Sequence, residues 1–188
     1  MRVRGKILFL AGAVTALAAG WNGFPRIIYK TLAQPVDFSH KIHTEQAGQS
    51  CEDCHAFRAD GSFAGIPKLE KCAACHAAAM GTSAAEKDFI DRYVTPGREP
   101  EWRSYARQPE NVYFSHSVHV KTAGVKCERC HGNIGTSAKL PAYEVDRVSG
   151  YSHDIWGTAG RPGMTMDDCI ACHRQRGRAA ASCLECHK

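Results

Sequence analysis

Bulky aromatics are scarce in this 188-residue chain: Phe, Trp and Tyr make up 9% of it, and much of its 44% apolar content is alanine. With so few large side chains to bury, a conventional packed core is not expected to carry the fold. No cysteine is spare either. All ten fall into one repeated pattern, which excludes a disulfide framework and a free thiol nucleophile. No Lys/Arg patch is interleaved with aromatics, so no nucleic-acid partner is expected despite a formal net charge of +5. Strand-like alternation is rare, and little sheet is expected. The length suits one domain or two very small ones.

The repeated pattern is Cys-x-x-Cys-His, present five times: Cys51/Cys54/His55, Cys72/Cys75/His76, Cys127/Cys130/His131, Cys169/Cys172/His173 and Cys183/Cys186/His187. Histidine is 10 of 188 residues, so five successive chance placements after Cys-x-x-Cys have a probability below about one in a million. Zinc ribbons repeat Cys-x-x-Cys but do not need the histidine. A thioredoxin-like pair would be a single motif on a βαβ scaffold. Covalent haem attachment needs every residue of the pattern: two thiols form thioethers to the porphyrin edge, and the adjacent histidine turns under the ring to bind iron. Five haems would supply the apolar surface that the side chains lack, and the apoprotein should be largely unfolded. Each haem brings two propionates against about +1 at its ferric bis-imidazole centre, so five haems add about −5 in all, which brings the holoprotein near neutral.

Each iron needs a second axial ligand. Removing the motif histidines leaves His40, His43, His116, His119 and His153, a number that matches the demand. His40 and His43, like His116 and His119, stand three apart, so on a helical turn they can diverge toward two neighbouring porphyrins. Met80, Met164 and Met166 are the alternative thioether ligands. Six-coordinate bis-His iron leaves no open position for a substrate, so electron transfer is expected and no catalytic site of the chain's own.

At the amino terminus Arg2, Arg4 and Lys6 precede the apolar run Ile7–Ala19. Ile7–Phe24 would span about 27 Å as a helix, close to a bilayer core. Trp21 and Tyr29 suit one interface and the basic residues the other, and no clear Ala-x-Ala step ends the run, so a retained anchor is preferred to a cleaved signal peptide. Residues from about 31 onward then lie on the periplasmic side of the cytoplasmic (inner) membrane.

The chain also repeats itself. Phe38-Ser39-His40-Lys41-Ile42-His43 recurs as Phe114-Ser115-His116-Ser117-Val118-His119, and Cys51 recurs as Cys127, always 76 residues on. Two copies of one unit follow. The expected organisation is an anchor over 1–30, a two-haem unit over 31–95, a surface connector over 96–113 and a three-haem unit over 114–188. Ser83–Tyr93 reads as a helix with Ala85, Phe89 and Tyr93 on one face, ending near Thr95-Pro96-Gly97. Lys139–Arg161 reads as a long Gly/Pro-flanked excursion. The fold expected is a multihaem cytochrome c, mostly short helices and loops wrapped round a haem core behind an N-terminal transmembrane helix.

Phe-Ser-His-x-x-His before Cys-x-x-Cys-His resembles the class III cytochromes, the cytochrome c3 and c7 group. That resemblance implies that His40 serves the Cys51/Cys54 haem and His116 the Cys127/Cys130 haem, while His43 and His119 reach neighbouring haems. A longer similarity runs through Gln34–Lys41, Asp60–Pro67, Gln108–His116, Ser149-Gly150-Tyr151 and the final Cys-x-x-Cys-His-Lys. Over these stretches the chain resembles the multihaem subunit of the menaquinone reductase complex of sulfate-reducing bacteria, and more distantly the pentahaem subunit of alternative complex III. The resemblance implies an electron relay from a soluble periplasmic cytochrome c3-like donor. The receiving subunits would be an iron–sulfur subunit, a molybdopterin-family-like subunit without its cofactor, and a quinone-binding integral membrane subunit. The family's subunit is described as hexahaem. Five motifs mean one haem fewer here, or a sixth held unconventionally.

Four functions compete at this point. They are an anchored electron-transfer subunit of a quinone-linked respiratory complex, an independent tethered or soluble periplasmic shuttle, a haem reductase, and a zinc-binding structural protein. A five-coordinate haem would mark the third, and a colourless protein the fourth. The last two motifs lie 14 residues apart at the carboxyl terminus, beside Arg174, Arg176, Arg178 and Lys188. A C-terminal haem is therefore the expected solvent-facing port, and the haem at Cys51 or Cys72 the one facing the complex.

Overall fold

The computed structural model describes residues 2–104, 106, 108, 110–146, 164–178 and 182–188. His153 and Tyr105 lie outside them. The chain divides into two compact units, one formed by residues 1–33 and 142–161, the other by 34–141 and 162–188.

In the first unit, helix α1 runs Arg2–Ile28 over 27 residues. Its segment Arg4–Phe24 is long and apolar enough to cross a membrane, and none of it is buried against protein. Two polar side chains within this stretch turn back onto the helix: Thr15 Oγ1 donates to the Ala11 carbonyl at 2.9 Å, and Asn22 Nδ2 to that of Ala18 at 2.8 Å. Satisfied in this way, neither carries a bare polar group into hydrocarbon. Strand β1 (Tyr29–Leu32) follows and pairs antiparallel with β2 (Tyr143–Asp146), with Tyr29 opposite Asp146 and Leu32 opposite Tyr143. The expectation of little sheet holds apart from this one ribbon among the described residues. Its strands are four residues long and more than a hundred apart, so no local alternation announces them.

The second unit is short helices and turns. Helices α2 (Cys51–Cys54), α3 (Leu69–His76), α4 (Ala84–Phe89), α5 (Glu128–His131) and α6 (Met166–Gln175) each carry or adjoin functional residues. A π-helical turn over Ile90–Val94 continues α4, and a 3-10 turn spans Cys183–Glu185. Phe89 and Tyr93 are buried on one face as expected, and Gly97, at φ 64°, ends the run.

The 76-residue repeat extends to individual hydrogen bonds. The turns Ile42–Gln46 and Val118–Thr122 are both π-helical. Ser39 Oγ accepts from the Ile42 amide, and Ser115 Oγ from that of Val118, each at 3.3 Å. Both copies close on a glycine with positive φ, Gly48 at 66° and Gly124 at 62°, a conformation that a Cβ would strain.

The protein side-chain core is small. Val36, Leu69, Phe89 and Tyr93 form it, with Phe38, Cys72, Ile90, Val94 and Trp102 packed against it. Trp102 meets Phe38 edge-on at 6.4 Å. The connector is more than a surface strap: Gln34 takes the Arg103 amide and donates to the Arg103 carbonyl, while Glu99 accepts the Leu69 amide at the start of α3 at 2.9 Å. These ties join residues 30 and 69 apart, beyond the reach of a local reading. No described side chain is fully buried, so the polypeptide by itself closes little core.

Candidate functional site

Four histidine pairs face each other at nearly one spacing. Ring centroids lie 6.4 Å apart for His40 and His55, 6.0 Å for His43 and His76, 6.4 Å for His116 and His131, and 6.0 Å for His119 and His173. Interplanar angles are 26°, 58°, 6° and 20° in the same order. Two imidazoles bound to one metal from opposite sides, each nitrogen about 2 Å from it, hold their centroids about 6.2 Å apart. Every pair joins one motif histidine to one of the spare histidines.

The turn geometry explains how two histidines three apart reach two partners. Phe38 stacks on His43 at 4.4 Å and meets His40 edge-on at 5.0 Å. Phe114 repeats this with His119 at 4.6 Å and His116 at 4.7 Å. One phenyl ring thus holds two imidazoles nearly perpendicular to each other.

Hydrogen bonds select the free nitrogen. His43 Nδ1 contacts the Ser39 carbonyl, His119 Nδ1 the Ser115 carbonyl and His55 Nδ1 the Gly65 carbonyl, each at 2.8 Å. His76 Nδ1 meets Glu86 Oε1 at 2.8 Å. A proton on Nδ1 leaves Nε2 with its lone pair for a metal. His40 buries Nδ1 without a partner, an uncommon state that points to a use for the ring. Burial, followed by neighbouring histidines, lowers the pKa of His40, His116 and His131 and favours the neutral, ligating form.

The thiols keep the same company. Burial pushes those of Cys54, Cys72, Cys127, Cys130 and Cys169 up, with smaller contributions from other motifs. Cys75 raises Cys54, Cys51 raises Cys127, Cys172 raises Cys130 and Cys186 raises Cys169. Phe63 joins the two repeats, stacking on His116 at 4.2 Å and lying 6.4 Å from His55. The ring contacts and the bond from Tyr113 to Cys186 therefore order the motifs in space as Cys72, Cys51, Cys127, Cys169, Cys183.

His187 is held by its backbone, bridged to Val112, with the Tyr113 amide donating to the Cys186 carbonyl at 2.8 Å. Among the described residues no second histidine ring faces it, and His153, the remaining candidate, lies outside them. Met80 and Met166 are 73% and 62% exposed, as loop or surface residues are. No three His, Cys, Asp or Glu side chains among the described residues converge as a zinc cage requires.

Several supporting residues escape a motif-centred reading. Asp53 accepts from the Ser50 amide and hydroxyl, both at 2.7 Å, and Asp168 from those of Thr165 at 2.9 and 2.7 Å. Each is a capping box that starts a motif helix, and Ser/Thr-x-x-Asp was its signal. Ser83-x-x-Glu86 looks like another but is not, because Glu86 points to His76 and accepts the Met80 and Gly81 amides at 2.9 and 3.1 Å. Those contacts, the Met80 amide first, hold the Glu86 carboxyl below its ordinary range.

Residues 25–95 match the Class III cytochrome C family, and residues 112–188 match the family of cytochrome c7 and related cytochrome c. The chain is 35% identical to the menaquinone reductase multiheme cytochrome c subunit of Nitratidesulfovibrio vulgaris, over 98% of this chain and 90% of that protein.

Proposed function

This chain belongs to the family of menaquinone reductase multihaem cytochrome c subunits, and on that premise we propose that its five motifs hold five haems c, at least four of them with two histidine ligands. It is a periplasmic electron-transfer subunit of a membrane-bound, quinone-linked respiratory complex, anchored by α1. Haem c, when bound, supplies a one-electron Fe(III)/Fe(II) couple. The chain's residues hold, orient and order these groups.

The 6.0–6.4 Å histidine spacing carries the ligand assignment. His40 serves with His55, His43 with His76, His116 with His131 and His119 with His173. His153 is assigned to His187 by elimination. The Nδ1 contacts of His43, His55, His76 and His119 support it by directing Nε2 to the metal. The spatial order of the motifs makes the Cys72 and Cys183 sites the two ends of a row. We assign the Cys183 end, where Cys183 and Leu184 are exposed, to a soluble cytochrome c3-like donor, because the Cys51 and Cys72 motifs lie nearer to α1 in sequence. The Cys72 end then serves the iron–sulfur, molybdopterin-family-like and quinone-binding subunits.

Purification of the intact complex with haem counting tests this reading. Five haems on this chain and co-purifying membrane subunits are expected. A sixth haem would require a ligand that these ten histidines do not supply, and a chain that purifies alone would make it an independent shuttle.

A further inference from the structure

The four ligand pairs are not equivalent in what lies behind the imidazole. Behind His43, His55 and His119 the partner of Nδ1 is a main-chain carbonyl, each at 2.8 Å. Behind His76 it is a carboxylate, Glu86 Oε1, at 2.8 Å, and among the described residues His76 is the one histidine in such a pair.

That carboxylate is built into place. Oε1 also accepts the Met80 amide at 2.9 Å, and Oε2 accepts the Gly81 amide at 3.1 Å. The chain leaving α3 is thereby folded back over the Glu86 side chain. Glu86 sits in the first turn of α4, whose Phe89 is buried in the core and meets the His76 ring edge-on at 6.0 Å. The pair is partly withdrawn from solvent, with His76 22% and Glu86 13% exposed, so water screens the charge incompletely.

We propose that Glu86 is a positioning residue that lowers the reduction potential of the site at Cys72 and Cys75 through the axial imidazole of His76; this rests on the ligation reading above. A carbonyl offers Nδ1–H a partial charge, and a carboxylate offers a full one. The stronger acceptor draws the Nδ1 proton and makes Nε2 a more basic donor. A more basic axial nitrogen, with a negative charge behind it, stabilises ferric iron over ferrous. The site at one end of the row is thereby set apart in energy from those whose histidines lean on carbonyls.

The test is a redox titration of the haem-loaded chain within its complex, read optically and by electron paramagnetic resonance. Glu86→Gln keeps the shape and a hydrogen-bond acceptor but removes the charge. One of the midpoint potentials should rise, by about a tenfold change in that haem's reduction equilibrium, or about 59 mV for one electron. The other four should move much less, and all haems should stay attached and low-spin. Glu86→Asp, which keeps the charge on a shorter stem, should fall between wild type and Glu86→Gln. Glu70→Gln removes an exposed carboxylate from the same helix as His76 and should leave the midpoints near wild type. Unchanged midpoints in Glu86→Gln, or an equal shift in Glu70→Gln, would overturn the proposal. The low-spin signal and haem count report separately on the ligation reading: a wild-type high-spin haem would contradict that reading and not the role of Glu86.

Discussion

In the first copy of the Phe-Ser-His-x-x-His turn, Phe38 stacks on His43 at 4.4 Å and 22°; in the second, Phe114 stacks on His119 at 4.6 Å and 27°. The serine caps, the π-helical turns and the closing glycines match as closely. Their surroundings do not. His43 faces His76 on α3, a helix anchored by buried Leu69 against Val36, Phe89 and Tyr93 and capped by Glu99. His119 faces His173 on α6, which buries no residue and is tied back by Arg176 donating to the Ala123 carbonyl at 3.0 Å. A local sequence builds the same two-histidine turn twice. What then holds the opposing histidine differs: protein packing in the first copy, and in the second, on the proposed assignment, the ligation itself.

The strongest way to break this comparison is to withhold haem. With the ten cysteines replaced by serine, far-UV circular dichroism should show loss of most secondary structure outside α1. Residual protection from hydrogen exchange should concentrate in residues 69–97. Equal protection in residues 164–178 would remove the distinction between the copies.

Single ligands sharpen it. His43→Ala and His119→Ala should each leave five haems attached and produce one new high-spin signal, because thioethers do not depend on the distal ligand. They should part in dynamics. Hydrogen exchange in α6 should accelerate in His119→Ala, whereas α3 should stay protected in His43→Ala. Leu69→Ala is the converse case, removing packing and keeping the ligands. It should destabilise the first copy by about 2–5 kcal/mol, as for other buried leucines, measured by denaturant unfolding with α3 as the probe.

The split between what the sequence announced and what it hid follows the same line. The five motifs, the repeat, the helix carrying Phe89 and Tyr93, and the apolar N-terminal helix depend on residues within a few positions of one another. So do the capping boxes at Ser50 and Thr165, which are local signals outside the haem-attachment motifs. The pairing of His119 with His173 spans 54 positions and that of β1 with β2 more than a hundred, and no local period encodes either. Glu86 was hidden for a different reason. Its spacing from Ser83 suggests a capping box, and only the fold shows its carboxylate turned to His76.

A smaller effect concerns the turn that carries Phe63 between the repeats. Asp60 Oδ1 accepts the Ser62 amide at 2.9 Å and its hydroxyl at 2.7 Å, and these bonds hold the Asp60 carboxyl below its ordinary range. A carboxyl with a lowered folded pKa contributes stability that is fully present above its unfolded value, about 3.9, and is lost as pH falls through the lower folded value. Amide exchange at Gly61–Phe63, corrected for its intrinsic pH dependence, should therefore quicken on acidification below about pH 4. Asp60→Asn should abolish that pH dependence, with little effect on haem content.

The account stands on the four histidine pairs. A density map of the haem-loaded complex measures them directly, and the pair most remote in sequence, His119 with His173, is the most demanding. The account predicts Nε2 of both on one iron, at about 2 Å each, with that porphyrin attached to Cys169 and Cys172. His119 on a different iron, or a methionine opposite His173, would contradict it.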